Sequence, residues 1–262
     1  MQNKTKRLTE SAMLLAMAIV LELVSKMFIP EQPFGGQLTI VSMLPIVLIS
    51  YRHGVKWGFV AAFAYALIEM VMGASTISAA FLPSSDEFMG PKALLMVLLD
   101  YLLAFTALGL GGIFRNRIAN PGDSLMCGSL VALGSRYLCH ILSGCILYTS
   151  WAEWFFTQDG FPAWGATLVQ TLSPTALGIV YSVVYNGMYM IPEIIFTAIV
   201  SLLISVLNDH TPDEILNADL HFINDIGLSE HLSPTRSNGL LAMVKQMKMY
   251  ALAFKAKAGE KA

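Results

Sequence analysis

The stretch Ala93–Phe114, ALLMVLLDYLLAFTALGLGGIF, decides the fold class. It carries no charge except Asp100 and is bracketed by Lys92 and Arg115. At about 1.5 Å per residue it spans roughly 33 Å, the hydrocarbon thickness of a bilayer. A carboxylate inside such a segment either meets lipid at high cost or faces a protein interior that uses it, so Asp100 is a candidate functional residue. Composition agrees with a membrane protein. The 262-residue chain is 55% hydrophobic and 13% charged, with mean hydropathy +0.62, where a soluble domain is about a quarter charged. The net charge of −2 says nothing useful about partners, and no nucleic-acid partner is expected.

Hydropathy gives six spans, at about 9–29, 38–51, 55–74, 93–114, 124–149 and 174–207, the second short and containing Pro45. The expected fold is an all-α integral membrane protein with six transmembrane helices. Lys4, Lys6, Arg7, Arg52, Lys56, Arg115 and Arg117 fall on one side, which places both termini in the cytoplasm. The outer loops are then 30–37, 75–92 and 150–173, the last carrying Trp151, Trp154 and Trp164. The first apolar run is a full-length span without a small-residue cleavage site, so no cleaved signal peptide is expected. Residues 1–207 form the membrane domain. Residues 208–262 form a polar cytoplasmic tail in which 239–258 has the spacing of a surface amphipathic helix. Cys127, Cys139 and Cys145 lack metal-ligand spacing and read as small buried hydrophobes.

Depth brings polar residues from three spans to the outer half of the membrane. Asp100 lies ~11 Å below the outer surface, His140 ~10–13 Å, Tyr181 ~10 Å and Asn186 ~18 Å, counted by helix rise. Arg136, His140, Gly144 and Tyr148 recur every four residues and form one stripe. Taken singly these residues also fit structural roles. Asp100 with Arg136 could be an ion pair that fixes helix packing, and Asn186 could be interhelical glue. Glu22 and Lys26, at i and i+4, neutralise each other. Glu69 reads as a rim residue, and Glu193, after Pro192, as a cap on backbone that the proline frees. No phosphate-binding loop, metalloprotease helix or nucleophile elbow is present, so no catalysis, cofactor or metal is expected. The pocket suits a small, flat, polar cation: a carboxylate for its charge, tyrosine faces for its rings, Asn and His for its edges.

Five segments carry a family resemblance: LTESAMLLA (8–16), FGGQLTIVSMLPI (34–46), LLDYLLAFTALGLGGIFR (98–115), RYLCHILSGCILY (136–148) and YSVVYNGMY (181–189). In this order the chain resembles the thiamine-specific substrate-binding subunit (S component) of energy-coupling factor vitamin transporters. The resemblance implies a multi-pass subunit of a prokaryotic cell membrane that binds thiamine from outside. It implies partnership with a transmembrane coupling subunit and two ATPase subunits. It assigns Asp100, Tyr101, His140, Tyr181, Asn186 and Tyr65 to the site, sets Arg136 beside the acid, and has the loop around Gly36 and Gln37 close over the vitamin. Ala12 and Ala16 match the small-residue face on which the coupling partner docks. Tyr148 departs from the family, where Trp is frequent, and the outer loops at 75–92 and 150–173 are enlarged.

Overall fold

The computed structural model describes residues 2–30, 32, 36–83 and 88–209, and the tail reading, including 239–258, lies outside them. Among the described residues every regular element is helical. The long helices are α1 (Gln2–Phe28), α3 (Val55–Met72), α5 (Gly90–Gly112), α6 (Pro121–Leu147) and α9 (Pro174–Asp209). Shorter ones are α2 (Leu44–His53), α4 (Ala74–Phe81), α7 (Ala152–Phe156) and α8 (Trp164–Thr171). Five are long and apolar enough to cross a membrane. The expected span at 38–51 is instead a stretch of turns followed by the 10-residue α2, only ~15 Å long. Residues 1–203 form one compact unit.

Helix faces follow from sequence. On α1 the buried positions Ser11, Ala18, Glu22 and Ser25 recur at heptad spacing, whereas Met13, Val20, Leu23 and Met27 are exposed apolar groups suited to lipid. The run Leu108–Gly112 explains the packing centre. Its glycines sit where a Cβ would strike the backbone of Phe59 in α3, Val47 and Ser50 in α2, and the 111 carbonyl would meet one built on Gly128 of α6. Small residues substitute in membranes for the hydrophobic drive that lipid removes, by letting backbones touch. The last turns of α5 tighten to 3₁₀ geometry, and Ser50 serves them: its hydroxyl donates to the Gly109 carbonyl and accepts from Gly112 N–H at 2.9 Å.

Residues 36–43 are irregular yet largely buried, which membrane depth tolerates only where protein satisfies the backbone. Side chains from both flanking helices do so. Ser25 of α1 accepts from Ile40 N–H at 2.8 Å, and Gln37 donates back to the Ile29 carbonyl at 2.9 Å. Glu193 of α9 accepts from the Thr39 hydroxyl at 2.6 Å and from its N–H at 3.4 Å. Glu193 therefore caps the 36–43 segment, not the backbone that Pro192 frees within its own helix. Val41, with φ +58°, holds a conformation that a β-branched residue rarely adopts, so these anchors act against local strain.

Glu193→Leu leaves two buried Thr39 groups without an acceptor and should cost on the order of 1–3 kcal/mol. A lowered thermal midpoint in detergent is the expected result, and Glu193→Gln, which keeps one acceptor, should fall between.

Candidate functional site

A cavity of about 300 Å³ opens among α1, α3, α5, α6, α9 and the 36–43 segment. That lies at the small end of volumes used for small-molecule sites. Gly36, Gln37, Asp100, Tyr101, Arg136, His140, Tyr148, Tyr181 and Asn186 all line it. Tyr65 does not. It is fully buried behind the wall, where its hydroxyl donates to Glu22 at 2.8 Å and its ring meets Phe105 edge-on.

Asp100 and Tyr101 stand on a widened π-helical turn, Val97–Leu103, in the middle of α5. Such turns occur mostly as local insertions at functional positions. Here both neighbours in sequence reach the cavity. One Asp100 oxygen lies 2.9 Å from His140 Nδ1, and the other accepts from the Ser143 hydroxyl, one turn further along α6. With Nδ1–H given to Asp100, a neutral His140 ring presents Nε2 as an acceptor, and that atom has no protein partner. Arg136 does not pair with Asp100. Its guanidinium lies over the Phe105 ring at 4.4 Å, leaving Nε and Nη1 as buried donors without partners. The ion pair considered from sequence is replaced by an Asp100–His140–Ser143 cluster because all three side chains meet at the α5–α6 seam.

On α9, Tyr181, Tyr185 and Tyr189 follow one another at i, i+4 and i+8 and line the same face. Tyr189 donates to Asn186 at 2.6 Å, and the Asn186 amide donates to the Ser182 carbonyl at 2.9 Å and the His140 carbonyl at 3.2 Å. Asn186 thereby ties α9 to α6, while Gly144, against Ser182, permits the close approach. Gly36 fits because a Cβ there would press on the Tyr185 and Tyr189 rings. From the 150–173 loop, Phe155 of α7 packs on Tyr181 and Tyr185 at 5.3 and 5.9 Å.

Sequence reasoning missed Tyr185 and Tyr189, although the four-residue tyrosine rhythm signalled them. It also missed Phe105, Met96 and Thr39 on the wall. Glu22 and Lys26 pair as expected, at 2.8 Å. Glu69 is not at a rim. It is buried and lines the cavity. A second cavity of about 270 Å³ adjoins the first across Thr76, Met96 and Tyr148, and Trp151 belongs to this one. Ala12 and Ala16 are both exposed on α1.

A family model described as "Thiamine transporter protein" (Thia_YuaJ) matches residues 8–212. A second, "Fe-S metabolism associated domain", matches residues 193–251. "Thiamine transporter ThiT" of Bacillus subtilis (strain 168) is 32% identical over 207 residues, covering 76% of this chain and 89% of that protein. With its apolar helices the chain is a multi-pass cell-membrane protein of transport, not an enzyme. The chain belongs to the thiamine transporter family.

Proposed function

We propose that this chain captures thiamine from outside in the cavity built around Asp100 and His140, and passes it inward as part of an ATP-driven energy-coupling factor importer. The observation that carries the reading is a set of buried polar atoms without protein partners at one cavity. His140 Nε2 and Gln37 Oε1 are acceptors, and Arg136 Nε and Nη1 are donors. Native proteins rarely leave such groups unpaired, so a ligand with complementary edges is the economical explanation. The aminopyrimidine of thiamine offers amine donors beside ring-nitrogen acceptors. Its thiazolium supplies a permanent positive charge. Among the lining residues Glu22, Glu69 and Asp100 are acids and Lys26 and Arg136 are cations, so a monocation balances the formal charges. Tyr101, Phe105, Tyr148, Tyr181, Tyr185 and Tyr189 give ring faces for stacking and cation–π contact.

Topology in this reading has six crossings and both termini inside. The turn segment 36–43 together with α2 makes the second crossing, its backbone satisfied by Ser25 and Glu193. The basic ends of α1 and of the α2–α3 corner lie together, which supports a shared cytoplasmic side. Arg7 sits over the Trp57 ring at 4.0 Å, and His53 Nε2 is 3.2 Å from Glu10. Ala12 and Ala16, exposed near that end, form the face on which the coupling subunit docks. The two ATPase subunits act through it.

Titrating intrinsic Trp fluorescence of the purified protein with thiamine should give saturable binding. Binding of another vitamin in its place would reassign the ligand, and uptake by this chain alone on a proton gradient would make it an autonomous carrier. Asp100→Asn and His140→Ala should each weaken thiamine binding at least about tenfold, roughly 1.4 kcal/mol, by losing the charge and one of the two acceptor oxygens that hold His140 and Ser143, or the imidazole itself. Ala12→Trp with Ala16→Trp should abolish ATP-dependent uptake and co-purification with the coupling module. Thiamine affinity of the isolated subunit should stay near wild type. Retained transport would remove α1 from the partner interface.

A further inference from the structure

Among the described residues four acids lie inside the bundle, and their partners separate their roles. Asp100 spends one oxygen on His140 and the other on Ser143. Glu22 spends one on Lys26, at 2.8 Å, and the other on Tyr65, at 2.8 Å. Glu193 spends both on Thr39 and is not on the cavity wall. Glu69 differs. It lines the cavity, its relative exposure is 5%, and its Oε1 is buried without any hydrogen-bond partner. Its carboxyl group also lies within hydrogen-bonding reach of Glu22 and Tyr65; Arg136 is the cation whose charge acts on it, and Lys26 is engaged by Glu22.

A buried carboxylate oxygen on a cavity-lining residue, left unmatched, calls for a donor or a positive charge from the ligand. Asp100, with both oxygens consumed inside the protein, acts instead by orienting His140. We propose that Glu69 is the specificity-determining residue that answers the ligand's positive ring, and that the site tells a cationic from an uncharged ring chiefly through it. This rests on the reading of the cavity as the thiamine site. The contact is direct and partly desolvated, which makes it stronger than an exposed ion pair and sensitive to the loss of one charge. The position of Glu69 on α3 favours it further. Met72, the last residue of that helix, and Gly73 after it also line the cavity, and Gly73 leaves room for the Tyr101 hydroxyl. Tyr101 and Glu69 thus both line the cavity, and an aromatic ring with a carboxylate is the pairing that a flat cation uses best.

The test compares two ligands on purified protein by calorimetry: thiamine, and a thiamine isostere whose thiazolium is replaced by an uncharged thiophene ring. Wild type should prefer thiamine by at least about tenfold. Glu69→Gln, nearly isosteric, should lose most of that preference by weakening thiamine alone, whereas Asp100→Asn should weaken both ligands alike. Full discrimination in Glu69→Gln overturns the role of Glu69, as does equal affinity of wild type for the two ligands. Should the amide variant not fold, Glu69→Asp withdraws the charge by one methylene and must reduce the discrimination; unchanged discrimination there overturns the proposal equally. Wild type that binds neither ligand would instead sink the reading of the cavity as a thiamine site, so the two failures are distinguishable.

Discussion

The contact between Asp100 and His140 joins the two helices on which the site depends. It crosses from the middle of α5 to the middle of α6 at 2.9 Å, and Ser143 takes the second carboxylate oxygen. In a low-dielectric interior a carboxylate held by two donors is stabilised strongly, and each donor is fixed in turn. The consequence is chemical as much as mechanical. Asp100 sets which imidazole nitrogen carries hydrogen, so the other nitrogen, buried and without a protein partner, is left as an acceptor. The π turn at Val97–Leu103 places the acid where this can happen and brings Tyr101 to the wall with it.

Around that seam the protein solves the membrane's constraint on backbone groups with side chains. Ser50 repairs the 3₁₀ end of α5, Ser25 and Glu193 hold the turns at 36–43, and Asn186 bridges α9 to the His140 carbonyl. Each of these polar residues is fully used by the protein. By contrast, Glu69, Arg136 and His140 line the cavity and carry buried polar atoms without protein partners, which supports the proposed ligand site. Glycines at 109, 111, 112, 128 and 144 complete the arrangement by letting α2, α3, α5, α6 and α9 approach within backbone contact.

Much of this was legible in the chain. Length and hydropathy located the five long helices, because roughly 20 apolar residues can do little else. Depth counting drew Asp100, Arg136, His140, Tyr181 and Asn186 toward one pocket, and they line one cavity, because rise per residue in a helix is fixed. What failed depended on irregular backbone. Hydropathy treated 38–51 as a uniform span, since turns bolted by Ser25 and Glu193 have the same apolar content as a helix. Asp100 and Arg136 were natural partners by charge, but the π turn and the Phe105 ring direct them elsewhere. Tyr65 belongs behind the wall because Glu22 claims its hydroxyl. The tyrosines at 185 and 189 were visible as a period and were passed over in favour of single residues. A one-dimensional depth count sets Glu69 at a rim because it cannot show that Glu22 of α1 and Tyr65 lie against it.

The most direct test of the cavity as the thiamine site is an experimental structure of the purified protein with thiamine bound. Ligand density is expected between the α9 tyrosines and the Asp100–His140 seam, with the amine of the aminopyrimidine on His140 Nε2 and the positive ring toward Glu69. Density lying outside this cavity, or within it but without contact to His140, would contradict it.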